Sequence, residues 1–281
     1  MIFTNSRGES VEFGDSPFYL QSINLGGTAA NIQKQKSPFL DGSIFLDALL
    51  DDLEIEIEFL INYPFGGYGD ISKARELISR VCNPKLGPGE LTYTNEYVTR
   101  TIKCVSEYVP DFPDGESRKS VLQKGKVTFV AHDPFYQDQT DENYKLEDFV
   151  AHFHFAFHFP VRFASRGDSK ILTNKGHVPT PILVEFRGEA VNPKITNLTT
   201  GEFIKVNRVI PKGYTLVINT DERERDVKII APDGIEENAM HYIDLESSFF
   251  MLQQGDNRFS FITDGGRPEV YVRYKNKYLI V

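Results

Sequence analysis

The stretch LEIEIEFLI, Leu53–Ile61, decides the fold of the first half of the chain. Successive side chains of a β-strand point to opposite faces, so strict alternation predicts a strand with one buried and one wet face. The wet face would carry Glu54, Glu56 and Glu58. These carboxylates could meet a basic partner, bind a cation or be a solvated strand face. We favour the solvated face, because side chains two residues apart can splay into water. The apolar face comprises Leu53, Ile55, Ile57, Phe59 and Ile61.

One segment departs from strand periodicity, DISKARELISRVCNP, which begins at Asp70. Its apolar residues recur at helical spacing, which predicts an amphipathic helix with Asp70 as the N-cap. Asn83-Pro84 ends it, because a residue before proline avoids the α region. The apolar stripe comprises Ile71, Ala74, Leu77, Ile78 and Val81.

The chain predicts two β-rich domains joined by a polar segment. Residues 1–135 form the first domain and the aperiodic, acidic segment 136–148 forms a linker. Residues 149–281 read as short strands with turn signals at close intervals, including a hairpin around Thr199–Gly201. Without a second helical pattern, this favours an antiparallel sandwich or barrel.

Charge and composition exclude several classes of partner. The formal net charge is −9, and acidic residues outnumber basic ones on both sides of Phe135. Nucleic acids and anionic membrane surfaces are therefore poor partners. No apolar run approaches the roughly 20 residues that span a bilayer, and the N-terminal residues do not resemble a secretory signal. We expect a soluble chain made in the cytosol, with Cys82 and Cys104 as reduced structural thiols.

The search for catalytic chemistry returns one candidate, AHFHFAFHFP, Ala151–Pro160. Zinc-protease, nucleophile-elbow and dinucleotide motifs are absent, so the sequence predicts no enzyme and no cofactor. His152, His154 and His158 would share one strand face and could ligate zinc. The four phenylalanines on the other face already explain the strand. We therefore interpret the histidines as a polar face and predict that no metal is bound.

Several long segments together resemble the distal tail proteins of long-tailed bacteriophages (siphoviruses) and prophages. The resemblance covers most of the chain. The segments are FTNSRGESVEF, NPKLGPGELTYTNEYVTRTIKC, FPDG, VTFVAHDPFY, HVPTPILVEFRGEAVNPKITNLTTGEFIKVN and VRYKNKYLIV.

The resemblance implies a structural virion protein at the tail tip. Such proteins form a ring, usually of six copies, between the tail tube and the host-adhesion device. The first domain, a β-sandwich or split barrel with one helix, would close the ring, and a galectin-like antiparallel sandwich would project outward. The implied partners are other copies, the tail tube and tape-measure proteins on one side, and tail-tip or receptor-binding proteins on the other. The chain would be made and assembled in the bacterial host cytoplasm.

The ring contacts are not encoded in a short motif. NIQKQKSPFLDGSIFL, Asn31–Leu46, lies between strands and has mixed polarity. It could form an arm reaching a neighbour or an intrachain hairpin, and both alternatives stay open. The candidate interface residues are Asn31, Gln33, Gln35, Phe39, Ile44 and Leu46.

Aromatic and histidine residues suggest two alternatives to the structural role, a carbohydrate-binding module and a metal-dependent hydrolase. A carbohydrate-binding module recognising the host wall would favour flat aromatic faces, but the chain has no tryptophan and 13 tyrosines. Tyr271 and Tyr274 could substitute, although they fit a core and rim pattern as well. A metal-dependent hydrolase rests only on the three histidines.

We predict that purified protein holds no stoichiometric zinc, because the phenylalanine face alone accounts for the strand. Elemental analysis of the wild type and of His154→Ala checks this. Near-stoichiometric zinc that disappears in His154→Ala would show the interpretation to be wrong.

Overall fold

The computed structural model describes residues 1–146 and 169–281, and His152, His154 and His158 lie outside the described residues. The described chain is mainly β, as expected, and contains one α-helix. It packs as two compact units. The first comprises Met1–Gln139 with Tyr278–Val281, and the second comprises Thr140–Lys277.

The first unit is built on one antiparallel sheet with the strand order β2-β1-β7-β8-β9-β6-β3. Among the described residues the sheet stays open, with β2 and β3 at its edges. β4 and β5 pair only with each other, and β10 pairs with β8. The strands are β1 (Ile2–Thr4), β2 (Ser10–Glu12), β3 (Phe18–Asn24), β4 (Ala30–Gln35), β5 (Ile44–Leu50), β6 (Leu53–Asn62), β7 (Gly89–Thr94), β8 (Thr99–Ser106), β9 (Leu122–Ala131) and β10 (Tyr136–Asp138).

Strand β6 has the two faces that its alternation predicts. Its five apolar side chains are at most 2% exposed and belong to the core of the first unit. Burying one such side chain contributes about 1.5–3 kcal/mol. The neighbouring strand approaches closely at Gly125, where an added Cβ would lie 2.4 Å from the Phe59 ring.

Helix α1 (Tyr68–Val81) packs four of its five predicted apolar residues into the same core, and Leu77 lies partly buried against it. The prediction that Asp70 is the N-cap is wrong. Gly67 is the N-cap, and Asp70 lies in the first turn. There its carboxylate accepts a hydrogen bond of 3.1 Å from the Gly67 N–H, which satisfies a donor at the helix start.

The second unit is an antiparallel sandwich. A six-stranded sheet, β11-β23-β13-β18-β19-β20, and a four-stranded sheet, β12-β21-β15-β16, share one apolar core, and β17-β14-β22 form a small third sheet. β24 (Lys277–Tyr278) begins in the second unit and ends in the first, where the chain re-enters that unit. The other strands are β11 (Glu142–Leu146), β12 (Lys170–Asn174), β13 (Leu183–Arg187), β14 (Ala190–Val191), β15 (Lys194–Asn197), β16 (Phe203–Lys205), β17 (Val209–Ile210), β18 (Thr215–Asn219), β19 (Asp226–Ile230), β20 (Glu236–Asn238), β21 (Gly255–Ile262), β22 (Gly265–Gly266) and β23 (Glu269–Tyr274).

One local prediction beyond residue 135 is confirmed and another is corrected. β15 and β16 form the predicted hairpin, in which Gly201 has a φ of 81° that favours glycine. The segment 136–148, expected to be an aperiodic linker, contains β10 and β11. Their partners β8 and β23 are remote in sequence, so local periodicity could not reveal them. The domain boundaries themselves stay a prediction.

The last residues of the chain complete the first unit. The Tyr278 side chain is 8% exposed and belongs to the first core. Its hydroxyl donates a hydrogen bond of 3.2 Å to Asp138, and the Arg100 guanidinium lies 3.2 Å from its ring centroid. Tyr278 therefore ties the chain end to two strands of the first unit by burial, a hydrogen bond and a cation–π contact.

We expect Tyr278→Ala to lower the free energy of unfolding by about 3 kcal/mol, because an aromatic side chain leaves the core. Tyr278→Phe should cost about 1 kcal/mol, since only the hydrogen bond is lost. Urea unfolding of the full chain, followed by circular dichroism, measures both. Tyr97→Ala is the control, because Tyr97 is 90% exposed. Equal stability of Tyr278→Ala and this control would contradict the role of Tyr278.

Candidate functional site

The β4–β5 hairpin is the most exposed element of the first unit. Both strands are solvent-exposed along their length except at Leu50, which is half-buried. The two strands form a sheet of their own, and an isolated two-stranded hairpin is at best marginally stable in water. The structure shows this segment as an intrachain hairpin with an uncovered surface, and an arm contact with a neighbour stays a prediction.

The register divides the predicted interface residues. One face of the hairpin carries four of them. On β4, alternate residues share a face, and these are Asn31, Gln33 and Gln35. Ile44 lies on the same face, because it pairs directly with Gln35. Leu46 is the extra residue of a β-bulge. Phe39 lies in the turn between the strands and is fully exposed. The six residues therefore lie on one element but not on one surface.

The opposite face of the hairpin, here called the arm face, carries Ile32, Lys34, Phe45 and Ala48. Ile32 is 57% exposed and Phe45 is 64% exposed. Sequence reasoning missed this face, because the bulge interrupts the alternation of IFLDALL and hides which residues point together. Large apolar side chains grouped on an exposed surface mark an interaction site.

The wet face of β6 borders a groove, here called the outer groove, of about 260 Å³. The Lys126 ammonium lies 2.8 Å from Glu56, and this hydrogen bond raises the pKa of Lys126. Glu58 accepts a hydrogen bond of 2.9 Å from Ser22. The groove is lined chiefly by Glu54, Glu56, Glu107, Tyr108, Asp111 and Lys126.

The outer groove has an acidic floor and an apolar rim. Its lining contains four carboxylates and one ammonium. On the rim, Tyr108 is 64% exposed and Val109 is 60% exposed. The part of β6 that was predicted to be a solvated face is thus one wall of a concave acidic surface.

The two units match two family models in order along the chain. Residues 6–131 match the phage tail protein RIFT-related domain. Residues 175–278 match the C-terminal domain of the siphovirus-type tail component. The chain belongs to the siphophage distal tail protein family.

The solved structures that share the fold of this distal tail protein include chains from two phages. Dit of phage SPP1 is 14% identical, with a TM-score of 0.68 over 92% of this chain and 93% of that chain. A chain of the phage P2 baseplate is 14% identical, with a TM-score of 0.54 over 100% of this chain and 98% of that chain. At this identity the likeness shows the fold. A sequence search of curated proteins returns no significant match.

In the C-terminal unit of the distal tail protein, the two tyrosines considered for carbohydrate binding have different surroundings. Tyr274 is 4% exposed, its ring stacks on Tyr144 with centroids 5.9 Å apart, and burial raises its pKa above the ordinary range. Tyr271 lies on the outer face of the sheet, where the Arg187 guanidinium covers its ring at 4.4 Å. Neither ring offers a free flat platform, and the pair follows the core and rim pattern.

A carboxylate is nearly buried beside Tyr271. The side chain of Glu185 is 9% exposed and is bound by the guanidinium groups of Arg187 and Arg273. The Arg187 Nε donates to Glu185 at 2.9 Å. The two cations compensate the cost of burying this charge, so the cluster links β13 to β23 across the outer face of the six-stranded sheet.

Metal-holding groups, membrane-spanning helices and cysteines can be examined in the described part of the distal tail protein. Residues 1–146 and 169–281 contain no group of three side chains placed to hold a metal. Within the same residues, no helix is long and apolar enough to cross a membrane. Both cysteines are free and buried, and burial raises the pKa of Cys82 to about 12, far from that of a reactive thiol.

We expect Glu185→Gln to lower the free energy of unfolding of the second unit by about 2 kcal/mol, because two half-buried guanidinium groups lose their counter-charge. This expected loss is smaller than the loss for a fully buried ion pair, since both arginines are partly exposed to water. Thermal unfolding of the full chain measures the effect. Glu222→Gln, at an exposed position, is the matched control. A loss no larger than in this control would contradict the structural role of Glu185.

Proposed function

We propose that the chain is the hub of a siphophage tail tip and assembles there as a ring of six copies. The observation that carries the proposal is the match of both units, in order, to siphovirus tail domains. The fold of SPP1 Dit, which extends over nearly the whole chain, supports it. That protein is described as a paradigm of the hub adsorption apparatus of phages that infect Gram-positive bacteria.

The first unit closes the ring in this proposal. Its sheet leaves β2 and β3 as edges, and its hairpin exposes apolar side chains that a monomer has no reason to leave in water. Head-to-tail contacts between such surfaces either close into a ring or grow into filaments. A ring suits a hub, because identical subunits around an axis enclose a channel.

The second unit carries the outward contacts. Its sandwich has a core of its own, so it can project from a ring without supporting it. The proposed partners are the tail tube and tape-measure proteins on one side of the ring and tail-tip or receptor-binding proteins on the other. The proposed place of action is the virion tail tip, after synthesis and assembly in the host cytoplasm, and the role is structural rather than enzymatic.

Electron microscopy of assembled tails tests the function. We expect this chain at the tail tip in six copies around the tail axis, held together by the first units. Native mass spectrometry of the full chain should find six subunits or a multiple of six. A truncated chain ending at Gln139 is unsuitable, because it lacks Tyr278–Val281 of the first unit. Any other symmetry, or a ring held by the second units, would refute the proposal.

A further inference from the structure

A head-to-tail ring needs two different surfaces on one chain that complement each other. The arm face and the outer groove are two such surfaces within the first unit. Both faces of the hairpin expose apolar side chains, but the arm face carries the cation Lys34 beside Ile32 and Phe45, while the opposite face carries Asp47. The outer groove is concave, rimmed by Tyr108 and Val109, and has a net negative lining.

The charges of the two surfaces are complementary. Lys34 is exposed on the arm face, and Lys36 is exposed just beyond the end of β4. Among the described residues that line the outer groove, Lys126 is the only cation, and it forms an ion pair with Glu56. The carboxylates of Glu54 and Asp111 therefore face the groove without a cation of their own lining it. Opposite potentials steer partners together and set the register of an interface.

The arm is an extended element that offers a long surface to a partner. Its strand β4 has six residues, which span about 20 Å at about 3.3 Å per residue. A hairpin of this length that packs on a neighbour would bury Ile32 and Phe45 and would gain the support that a two-stranded sheet lacks alone.

We propose that the arm face of one copy docks in the outer groove of the next copy around the ring, with Lys34 opposite Glu54 and Asp111. The inference rests on the ring proposed above and names the surface that receives the arm. Ile32 and Phe45 pack against Tyr108 and Val109 at the rim. The remaining copies repeat the contact until the ring closes.

Charge-reversal substitutions in the full chain test the contact between the arm face and the outer groove. Lys34→Glu and Glu54→Lys should each lower the six-subunit fraction in native mass spectrometry roughly tenfold, since each sets like charges against each other. The double variant should recover most of that loss. Lys119→Glu, an exposed change away from both surfaces, should leave the fraction unchanged. Wild-type levels of rings in both single variants, or no recovery in the double variant, would overturn the inference.

Cross-linking provides an independent readout. Ala48→Cys on the arm face with Val109→Cys on the rim should give disulfide-linked dimers and higher multimers on a non-reducing gel. Gln33→Cys with Val109→Cys is the matched control, because Gln33 lies on the opposite face of the hairpin. The native cysteines are buried and do not compete. If the free chain is monomeric, assembled tails provide the specimen.

The outcomes separate this inference from the proposed function. Six-membered rings that persist without arm-to-groove cross-links, or with disulfides only within one chain, would overturn the docking contact and leave the hub intact. Absence of six copies from assembled tails would refute the hub itself. Cross-links between copies combined with rescue by charge exchange would support both.

Discussion

The burial of one face of β6 is the constraint on which the first unit depends. Its five apolar side chains are at most 2% exposed, and β9 and β3 pair on its two sides. A register slip of one residue in β6 would turn Glu54, Glu56 and Glu58 into the core. The cost of burying three carboxylates makes the register unambiguous, so the helix and the remaining strands pack against a fixed surface.

The same constraint explains why the wet face of β6 is available for contacts. Once the apolar side chains are committed to the core, the glutamates must point outward. The segment 107–111 then lies over them to form the outer groove. Lys126 neutralises Glu56 and leaves the remaining acids to define the potential of the surface. An acidic groove thus arises as a consequence of the pattern that forms the core.

The β4–β5 hairpin differs from β6, because its apolar side chains are left in water. Ile32, Phe45 and Phe39 are apolar and exposed, and no strand of the described sheets pairs with the edges of the hairpin. In the second unit, by contrast, the outer sheet face is self-sufficient, because Glu185 is held between two arginines that cross-link neighbouring strands. This contrast supports the proposal that the ring contacts lie in the first unit.

The sequence alone determined three elements, because their signals are local. The alternation of apolar and polar residues predicted strand β6, and apolar residues at helical spacing predicted α1. The turn that contains Gly201 predicted the hairpin at Thr199–Gly201. The ordered resemblance along the chain also identified the tail family. Only the tertiary structure decided the rest. β10 and β11 depend on remote pairing partners, and Asp70 caps by reaching back to Gly67 rather than by preceding the helix. The bulge at Leu46 places Phe45 on the face of Ile32 and Lys34 and Ile44 on the face of Gln35, since one extra residue reverses the faces of the segment beyond it.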